Sequence, residues 1–144
     1  MLNGPNLNLL GEREPELYGC DSLPELEQRL QTQAKTLGHT LTPFQSNHEG
    51  VLVDRVQQAR HDGTAFLLLN PGGYTHSSVA LRDALAAVRL PFIEIHVSNI
   101  LARETFRSHS YFSDLALGTI TGLGTQGYEL ALVAADRWLR THTH

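Results

Sequence analysis

The sequence contains a single cysteine and no apolar run of membrane-spanning length, and both shortages exclude a class of protein. Cys20 has no second cysteine to pair with, which excludes a secreted scaffold held by internal disulfides. A transmembrane helix needs about 20 consecutive apolar residues, and no such run is present. No signal peptide is visible either, because polar, glycine and proline residues follow Met1 and Leu2 directly. These absences predict a soluble protein of a reducing cytoplasm.

Lysine is nearly absent as well, since Lys35 is the one lysine among eleven basic residues. It lies in the polar stretch 31–36, where a solvated ammonium is expected, so imine chemistry has no good candidate. The ten arginines suit bidentate recognition of a carboxylate or phosphate. Fifteen acidic residues bring the net charge to −4, which argues against a protein that binds nucleic acid through its phosphates.

The length and the apolar content of the chain suit one compact domain. The chain has 144 residues, of which 41% are hydrophobic and 18% charged, enough to build a core. We therefore expect a single domain over residues 1–144, with a frayed tail from about residue 140. Only Met1 and Leu2 precede the polar Asn3, so the first strand is expected to be very short or to lack upstream residues.

Short apolar runs alternate with longer periodic segments along the chain. The runs at 65–69, 91–97 and 117–121, with a weaker one at 39–45, show no clean polar alternation. Runs of this kind are typical of strands that are covered on both faces, as in a parallel sheet. The repeated β-α units predict an α/β fold with a doubly wound sheet of about five strands.

Four segments between and after these runs have the pattern of helices. The first opens with a capping box, Ser22 to Glu25, and carries an apolar stripe at Leu23, Leu26, Leu30, Ala34 and Leu37. The second is predicted to open in the same way at Ser46 to Glu49, and the third covers 77–88. The last, at about 126–139, is apolar nearly all round, so we expect it to be buried against the sheet or a partner.

Polar residues follow three of the predicted strands. In an open α/β sheet, ligands bind beyond the carboxyl ends of the strands. The first strand runs into Asn3 to Asn6, the third into Asn70 to His76, and the fourth into Glu94 to Asn99. A single asparagine beside glycine and proline is typical of a turn, but polar groups on three adjacent strands favour a binding crevice.

Two pairs of side chains within this set suggest chemistry. Glu94 and His96 lie two apart on a strand and share a face, which suits a general acid or base; a buried histidine with a satisfied hydrogen bond is the alternative. Arg103 and Arg107 would share a face if residues 99–107 were helical. They would then form an anion pocket or a solvated helix face.

The loop 9–19 is rich in glycine and charge and follows a strand end, so it is a candidate lid over a ligand. Within it, Arg13 would favour the phenolate form of Tyr18. Taken alone, Tyr18 is better explained as a packing residue that caps the first helix.

Two further patterns carry no function in this chain. Gly122 to Gly127 fits G-x-G-x-x-G, but only 17 residues follow Gly127. A dinucleotide site needs another strand and an acidic residue about 20 positions on, so these glycines are assigned to a tight turn and close helix packing. The eight histidines show no metal-ligand spacing and Cys20 has no histidine motif nearby, so we expect no metal site and an inert thiol.

Taken together, the motifs resemble the type II 3-dehydroquinate dehydratases, from residue 3 to about residue 130. The residues that carry the resemblance are Asn3-Gly-Pro-Asn-Leu-Asn-Leu-Leu-Gly, Arg13-Glu-Pro, Tyr18-Gly, Asn70-Pro-Gly-Gly-Tyr-Thr-His76-Ser, Glu94-Ile-His96-Val-Ser98-Asn99 and Arg103-Glu-Thr-Phe-Arg107. The resemblance implies a flavodoxin-like fold with strand order 2-1-3-4-5, helices on both faces, and a homododecamer of four trimers. It also implies dehydration of 3-dehydroquinate to 3-dehydroshikimate without a metal or cofactor, in the shikimate route or in quinate breakdown.

The resemblance implies catalytic roles as follows. Tyr18 would remove a proton from C2 of the substrate, and Arg13 would hold Tyr18 as the phenolate. Asn6 would help to bind the water or oxygen on which enolate charge develops. His96 would protonate the departing C1 hydroxyl, with Glu94 fixing its orientation.

The resemblance also implies a set of substrate-binding residues. Asn70, Val97 and Ser98 would take the carboxylate, the last two through their backbone. His76, Arg107 and Asp83 would bind ring hydroxyls, with Asp83 reaching in from a neighbouring subunit, and Arg103 would give electrostatic support. Val97 stands where isoleucine is common, which changes little because its backbone is what binds.

The alternative at this point is a flavodoxin-like binding or assembly protein without catalysis. A phospho-receiver would need an aspartate where Asn70 stands and a lysine after the fifth strand, and a flavin module would need a Ser/Thr-rich phosphate loop after the first strand. Neither requirement is met. An inactive homologue that serves in assembly would not need intact Tyr18, Arg13 and His96.

Overall fold

Five short parallel strands form the centre of the protein, whose computed structural model describes residues 1–12, 14, 16 and 21–142. The strands are β1 (Leu2–Asn3), β2 (Phe44–Gln45), β3 (Leu67–Asn70), β4 (Phe92–His96) and β5 (Gly118–Thr121). Their order across the sheet is β2-β1-β3-β4-β5, as expected. Each predicted apolar run therefore supplies one strand, and β1, although only two residues long, pairs on both sides.

Successive residues of the central strands face opposite layers of the protein. Leu67 pairs with Phe92 and Leu69 with Glu94 in the register of β3 and β4, so these four share one face, while Leu68 and its neighbour on β4 point to the other. Both faces are covered, and this is why the strands read as continuous apolar runs.

Helices lie on both faces of the sheet, which confirms the doubly wound arrangement. The α-helices with described bounds are α1 (Leu23–Thr36), α2 (Glu49–Ala59), α3 (Val79–Val88) and α4 (Gln126–His142). Helices α1 and α4 pack on one face, around Leu26 and Leu132, and α2 and α3 on the other, around Val56 and Leu85. The two layers leave the ends of the strands uncovered, where loops gather.

The start of α1 confirms the predicted capping box. The Ser22 hydroxyl accepts a hydrogen bond from the Glu25 backbone N–H at 3.3 Å, and the Glu25 carboxylate accepts one from the Ser22 N–H. The first turn also contains a proline, which has no N–H and therefore leaves no donor without a partner at this end of the helix.

The matching prediction for the second helix is wrong. Helix α2 begins at Glu49, and His48 is its N-cap. A capping box would need Glu49 at the third position of the helix, but Glu49 is the first. Ser46 instead continues the sheet, donating its N–H to the Asn3 carbonyl, and its hydroxyl accepts from the His48 N–H at 3.0 Å. Pairing with β1 therefore overrides the local capping signal.

The last helix packs against the sheet, as expected. One face of α4 is buried there, and Leu130 and Val133 on the other face are exposed. The helix continues through His142, into the tail where the sequence suggests fraying. Arg140 anchors this end by donating to Asp136 and to the Leu37 carbonyl.

A cavity of about 330 Å³ lies far from the predicted site. It sits at the amino-terminal edge of the sheet between β2 and β3, and its lining contains none of the predicted site residues. Among the helices of the described ranges, none combines the length and the apolar character needed to cross a bilayer.

Candidate active site

The loops that follow β1 and β3 touch each other at the carboxyl edge of the sheet. The Gly4 N–H donates to the Asn70 carbonyl at 2.8 Å, and a Cβ at Gly4 would lie 2.2 Å from the Pro71 carbonyl oxygen. Only glycine permits this approach. The close contact brings the polar residues after β1 and β3 beside the end of β4.

A cavity of about 140 Å³ opens at this edge, between the loops after β1, β3 and β4. The predicted site residues that line it are Asn6, Asn70, His76, His96, Val97, Ser98, Arg103 and Arg107. These residues come from distant parts of the sequence, and the parallel sheet brings them together because all its strands end at this edge.

Two of the described site residues, Glu94 and Asp83, are not part of the cavity lining. Glu94 lies directly behind His96, fully buried. Asp83 is exposed on α3 and lines a separate, open depression, so one chain does not bring it to the cavity. Arg13 and Tyr18, the predicted lid pair, lie outside the described residues, as does Cys20.

Glu94 and His96 form a buried pair at the end of β4. The His96 Nε2–H donates to a Glu94 carboxylate oxygen, and His96 is only 5% exposed. Ser110 and Ser113 donate to the two oxygens of Glu94 at 2.8 and 2.7 Å. Their position between Arg107 and β5 gave no sequence signal for this role.

These hydrogen bonds keep Glu94 ionised. Burial would raise the pKa of its carboxyl, but hydrogen bonds from His96, Ser113 and Ser110 and the proximity of the imidazole hold that pKa below its usual range. A fixed carboxylate accepts from Nε2–H and so selects the tautomer of His96. Nδ1 is then the ring nitrogen left to exchange a proton with a ligand in the cavity.

His76 lies on the opposite wall in a defined tautomer. Its Nδ1–H donates to the His109 carbonyl at 2.7 Å, and its ring meets Phe106 edge to face. Burial lowers the pKa of His76, and the nearby charge of Arg107 lowers it further. His76 is therefore neutral near pH 7, and its Nε2 is an acceptor for a ligand hydroxyl.

Arg103 and Arg107 reach the cavity without the helix that the prediction required. Two short 3-10 helices, Ile100–Ala102 and Thr105–Ser108, replace it, and Arg103 has an extended backbone between them. The Arg103 guanidinium donates to the Ser98 hydroxyl at 3.3 Å, and Arg107 pairs with Glu104. Two guanidinium groups at one cavity suit an anionic ligand.

Two side chains at and after the end of β2 support the loop that carries Asn6, and sequence reasoning assigned them no role there. Asn6 has φ 70°, a left-handed conformation that asparagine tolerates, and its N–H donates to the Asn47 side chain at 3.0 Å. Gln45 donates to the Gly4 carbonyl and to Asn47. The Ser46 to Glu49 stretch was read as a helix cap, which concealed the role of Asn47.

The glycines set aside from a dinucleotide motif behave as predicted. Gly122 has φ 88° and its Cα approaches Asn99, and Gly127 packs α4 against Ile95 and Ile120. Over the described ranges, no three His, Cys, Asp or Glu side chains come together as a metal-ligand group.

Comparison with known proteins places the chain among relatives of one kind. A family model described as dehydroquinase class II matches residues 1–136. A 3-dehydroquinate dehydratase of Chromobacterium violaceum is 62% identical over 139 residues, which cover 96% of this chain and 89% of that protein. One from Stenotrophomonas maltophilia is 62% identical over 135 residues, covering 94% and 91%.

Solved structures agree. The crystal structure of a type II dehydroquinase from Butyrivibrio crossotus superposes with a TM-score of 0.91 at 41% identity, covering 94% of each chain. A 3-dehydroquinate dehydratase-like protein from Bifidobacterium longum is more distant, with a TM-score of 0.69 and 33% identity over 96% of this chain and 94% of that one.

Proposed function

Because this chain belongs to the class II dehydroquinase family and is a 3-dehydroquinate dehydratase, we propose that it eliminates water in the anti sense through an enolate, in the cavity at the carboxyl edge of the sheet. The observation that carries the proposal is the buried Glu94–His96 pair, which presents an imidazole to a cavity bordered by two arginines. Elimination beside a ketone needs a base, an acid and stabilised enolate charge.

The substrate carboxylate is bound at the ends of β3 and β4. The side-chain oxygen of Asn70 accepts a hydrogen bond from the Gly72 N–H, and one N–H of its side-chain amide donates to the Tyr128 hydroxyl. The second N–H of that amide is left for the carboxylate. The backbone N–H groups of Val97 and Ser98 complete the subsite. Neutral donors and nearby Arg103 together hold the anion in place.

Proton removal starts the reaction. Tyr18, held as a phenolate by Arg13, takes the proton from C2, and the electron pair forms the enolate of the neighbouring ketone. The oxygen that gains charge is stabilised through Asn6, which lines the cavity. The roles of Tyr18 and Arg13 rest on the sequence resemblance.

Loss of the C1 hydroxyl completes the reaction. The enolate collapses, the bond between C1 and its hydroxyl oxygen breaks, and His96 gives its proton to the departing oxygen, so that water leaves. Glu94 favours the imidazolium before this transfer and keeps the ring in place afterwards. Each step uses acid–base groups of the chain and calls for neither a metal nor an organic cofactor.

The ring hydroxyls are bound on the other wall of the cavity. His76 accepts from one hydroxyl through Nε2, and Arg107 donates to another. Asp83 comes from a neighbouring subunit, which agrees with its exposed position on α3 away from its own cavity. From the sequence resemblance we propose a homododecamer of four trimers, and from the composition we propose a place in the cytoplasm.

An absorbance assay tests the reaction directly. Addition of 3-dehydroquinate to the purified protein is expected to raise the ultraviolet absorbance of the conjugated enone product. Borohydride added with substrate is expected to leave the activity intact, since no imine forms. Binding of substrate without any rise in absorbance would favour the non-catalytic alternative.

Substitution of Tyr18 tests the assignment of the base. Tyr18→Phe removes the phenolate, so turnover is expected to fall by about 10²-fold or more while folding and ligand binding remain. His96→Ala is expected to lose both affinity and rate. Turnover by Tyr18→Phe comparable to that of the wild-type chain would overturn the assignment.

A further inference from the structure

Three buried polar side chains form a line beneath the carboxylate subsite. The Tyr128 hydroxyl on α4 donates to the Asn3 side-chain oxygen at 2.6 Å and accepts from the Asn70 side-chain amide at 2.8 Å. Asn3 and Asn70 pair in the register of β1 and β3, and neither they nor Tyr128 exceeds 3% exposure. The line therefore joins the cavity to the core of the protein.

The direction of each hydrogen bond in the line follows from one backbone group. The Gly72 N–H donates to Asn70 Oδ1 at 3.1 Å, so Asn70 Nδ2 must be the atom that faces Tyr128. Nδ2 only donates, which makes the tyrosine oxygen the acceptor. The single hydroxyl proton of Tyr128 is then directed to Asn3.

The tyrosine is held in its neutral form, which this arrangement needs. Burial raises the pKa of Tyr128 well above its usual value. A phenol without its proton could not donate to Asn3, and the side-chain nitrogen of Asn3 has no hydrogen-bond partner within the described ranges. Asn3 is thus retained with one polar atom unsatisfied, at a free-energy cost that packing alone does not explain.

The consequence falls on the amide of Asn70. Its oxygen is fixed by Gly72 and one of its N–H bonds by Tyr128, so the amide plane cannot turn over. The other N–H keeps one direction, and Asn70 lines the cavity. Without the tyrosine hydroxyl, only the Gly72 contact would restrain the amide.

We propose that Tyr128 is a positioning residue for the substrate carboxylate: supported by Asn3, it orients the Asn70 amide so that its remaining N–H donates to that carboxylate. The proposal rests on the proposed function for the identity of the ligand, but its evidence is the hydrogen-bond line itself. Tyr128 touches neither the reacting atoms nor the substrate.

The test is Tyr128→Phe, which removes one oxygen and keeps the ring that fills the core. The carboxylate is bound equally in the ground state and the transition state, so KM is expected to rise roughly tenfold with kcat nearly unchanged. A purely structural role would lower the melting temperature and leave KM of the folded enzyme unaltered. An unchanged KM therefore overturns the proposal.

Two matched variants separate positioning from general destabilisation. Leu132→Ala removes packing from the same helix and the same core without touching the line, so it is expected to lower stability and leave KM within twofold of wild type. In an Asn70→Ala background, Tyr128→Phe is expected to raise KM no further, because the group it orients is gone. A tenfold rise in that background would show that the effect bypasses Asn70 and would overturn the proposal.

A binding measurement keeps the result independent of turnover. Calorimetric titration with quinate, a hydroxylated cyclohexane carboxylate, is expected to show the same tenfold loss of affinity in Tyr128→Phe. The wild-type chain could bind quinate and yet produce no enone from 3-dehydroquinate. The proposed reaction would then fail, while a loss of quinate affinity in Tyr128→Phe would still support the role of Tyr128. Equal quinate affinity in the two chains overturns that role whatever the activity.

Discussion

Individual residues at this site work through pairs whose members fix each other's protonation. Glu94 is ionised because three donors hold it, and its carboxylate in turn gives His96 a defined tautomer. His76 is neutral because it is partly buried beside Arg107. One histidine is thus arranged to give a proton and the other to accept a hydrogen bond, although both belong to one cavity.

Glu94→Gln keeps the size of the side chain and removes its charge. Because Glu94 loses the negative charge that faces His96, the proposed acid, we expect kcat to fall by about 10²-fold. Steady-state kinetics measure this loss. Ser113→Ala, which removes one neutral hydrogen bond to the same carboxylate, is expected to change kcat far less.

Glu94→Gln is also expected to change how the stability of the fold depends on pH. The pKa of Glu94 is lowered in the folded chain, so its ionised form stabilises the fold at neutral pH, and this stabilisation is lost as pH falls through the folded-state pKa. Glu94→Gln is expected to unfold with a weaker dependence on acid pH than wild type. An identical dependence in urea titrations would contradict the assigned charge state.

Titration of His76 tests the charge environment of the opposite wall. Its pKa is lowered, so NMR titration is expected to show a midpoint below 6.5, and KM is expected to rise as pH falls through that midpoint. The neutral ring stabilises the fold above the unfolded pKa of about 6.5, and this contribution is lost at lower pH. Arg107→Gln is expected to raise the midpoint, whereas exposed Arg137→Gln should leave it unchanged.

At the scale of elements, the site depends on how closely the loops after β1 and β3 approach. Gly4 and the Asn70 carbonyl are joined by a hydrogen bond, and the same contact excludes any side chain at position 4. The loop after β4 is anchored by the turn before α4, where the Gly122 and Gly124 N–H groups donate to the carbonyls of His96 and Val97. The strands themselves are short, so these loop contacts keep the cavity in shape.

Gly4→Ala should therefore damage both stability and binding. Its Cβ would lie 2.2 Å from a backbone oxygen of Pro71, so the two loops must separate, and we expect a loss of about 1–3 kcal/mol with a raised KM. Urea unfolding and steady-state kinetics measure the two effects. Gly50→Ala is the control: nothing lies within 4 Å of its Cβ position in α2, and it is expected to be neutral or stabilising by up to about 1 kcal/mol.

The whole molecule combines a net charge of −4 with a cavity bordered by Arg103 and Arg107. Two of the eleven basic residues thus lie where the proposed anionic substrate would bind. Asp83 on α3 lines a separate, open depression that also contains the exposed Leu101. The proposed completion of the site by a neighbouring subunit would account for this position of Asp83.

Mixed assemblies test whether Asp83 acts across subunits. Asp83→Ala and His96→Ala are each expected to be nearly inactive, but chains co-assembled from both should recover activity. Random mixing gives about a quarter of the sites an intact His96 from one chain and an intact Asp83 from its neighbour. Absence of any recovery, with light scattering showing that the assemblies had mixed, would place Asp83 outside the site.

The sequence by itself determined the order of elements, the double covering of the sheet and most of the residues that line the cavity. Apolar runs, capping signals and polar strand ends are local features of a sequence. In a parallel sheet all strands end at the same edge, so the polar residues at the strand ends come together there. The same local information wrongly placed the start of α2 at a capping box, because pairing of Ser46 with β1 overrides this short-range preference. It left open whether residues 99–107 are one helix, and the structure has two short 3-10 helices there instead.

Only the tertiary structure decided which side chains hold the site in place. Ser110 and Ser113 on Glu94, Asn47 beneath Asn6, and Tyr128 between two asparagines have no pattern that a sequence would reveal. Tyr128 contacts an asparagine 125 residues away, through packing of α4 on the sheet. Such contacts depend on the distance between elements and on which polar atoms burial leaves without water, and both exist only once the chain has folded.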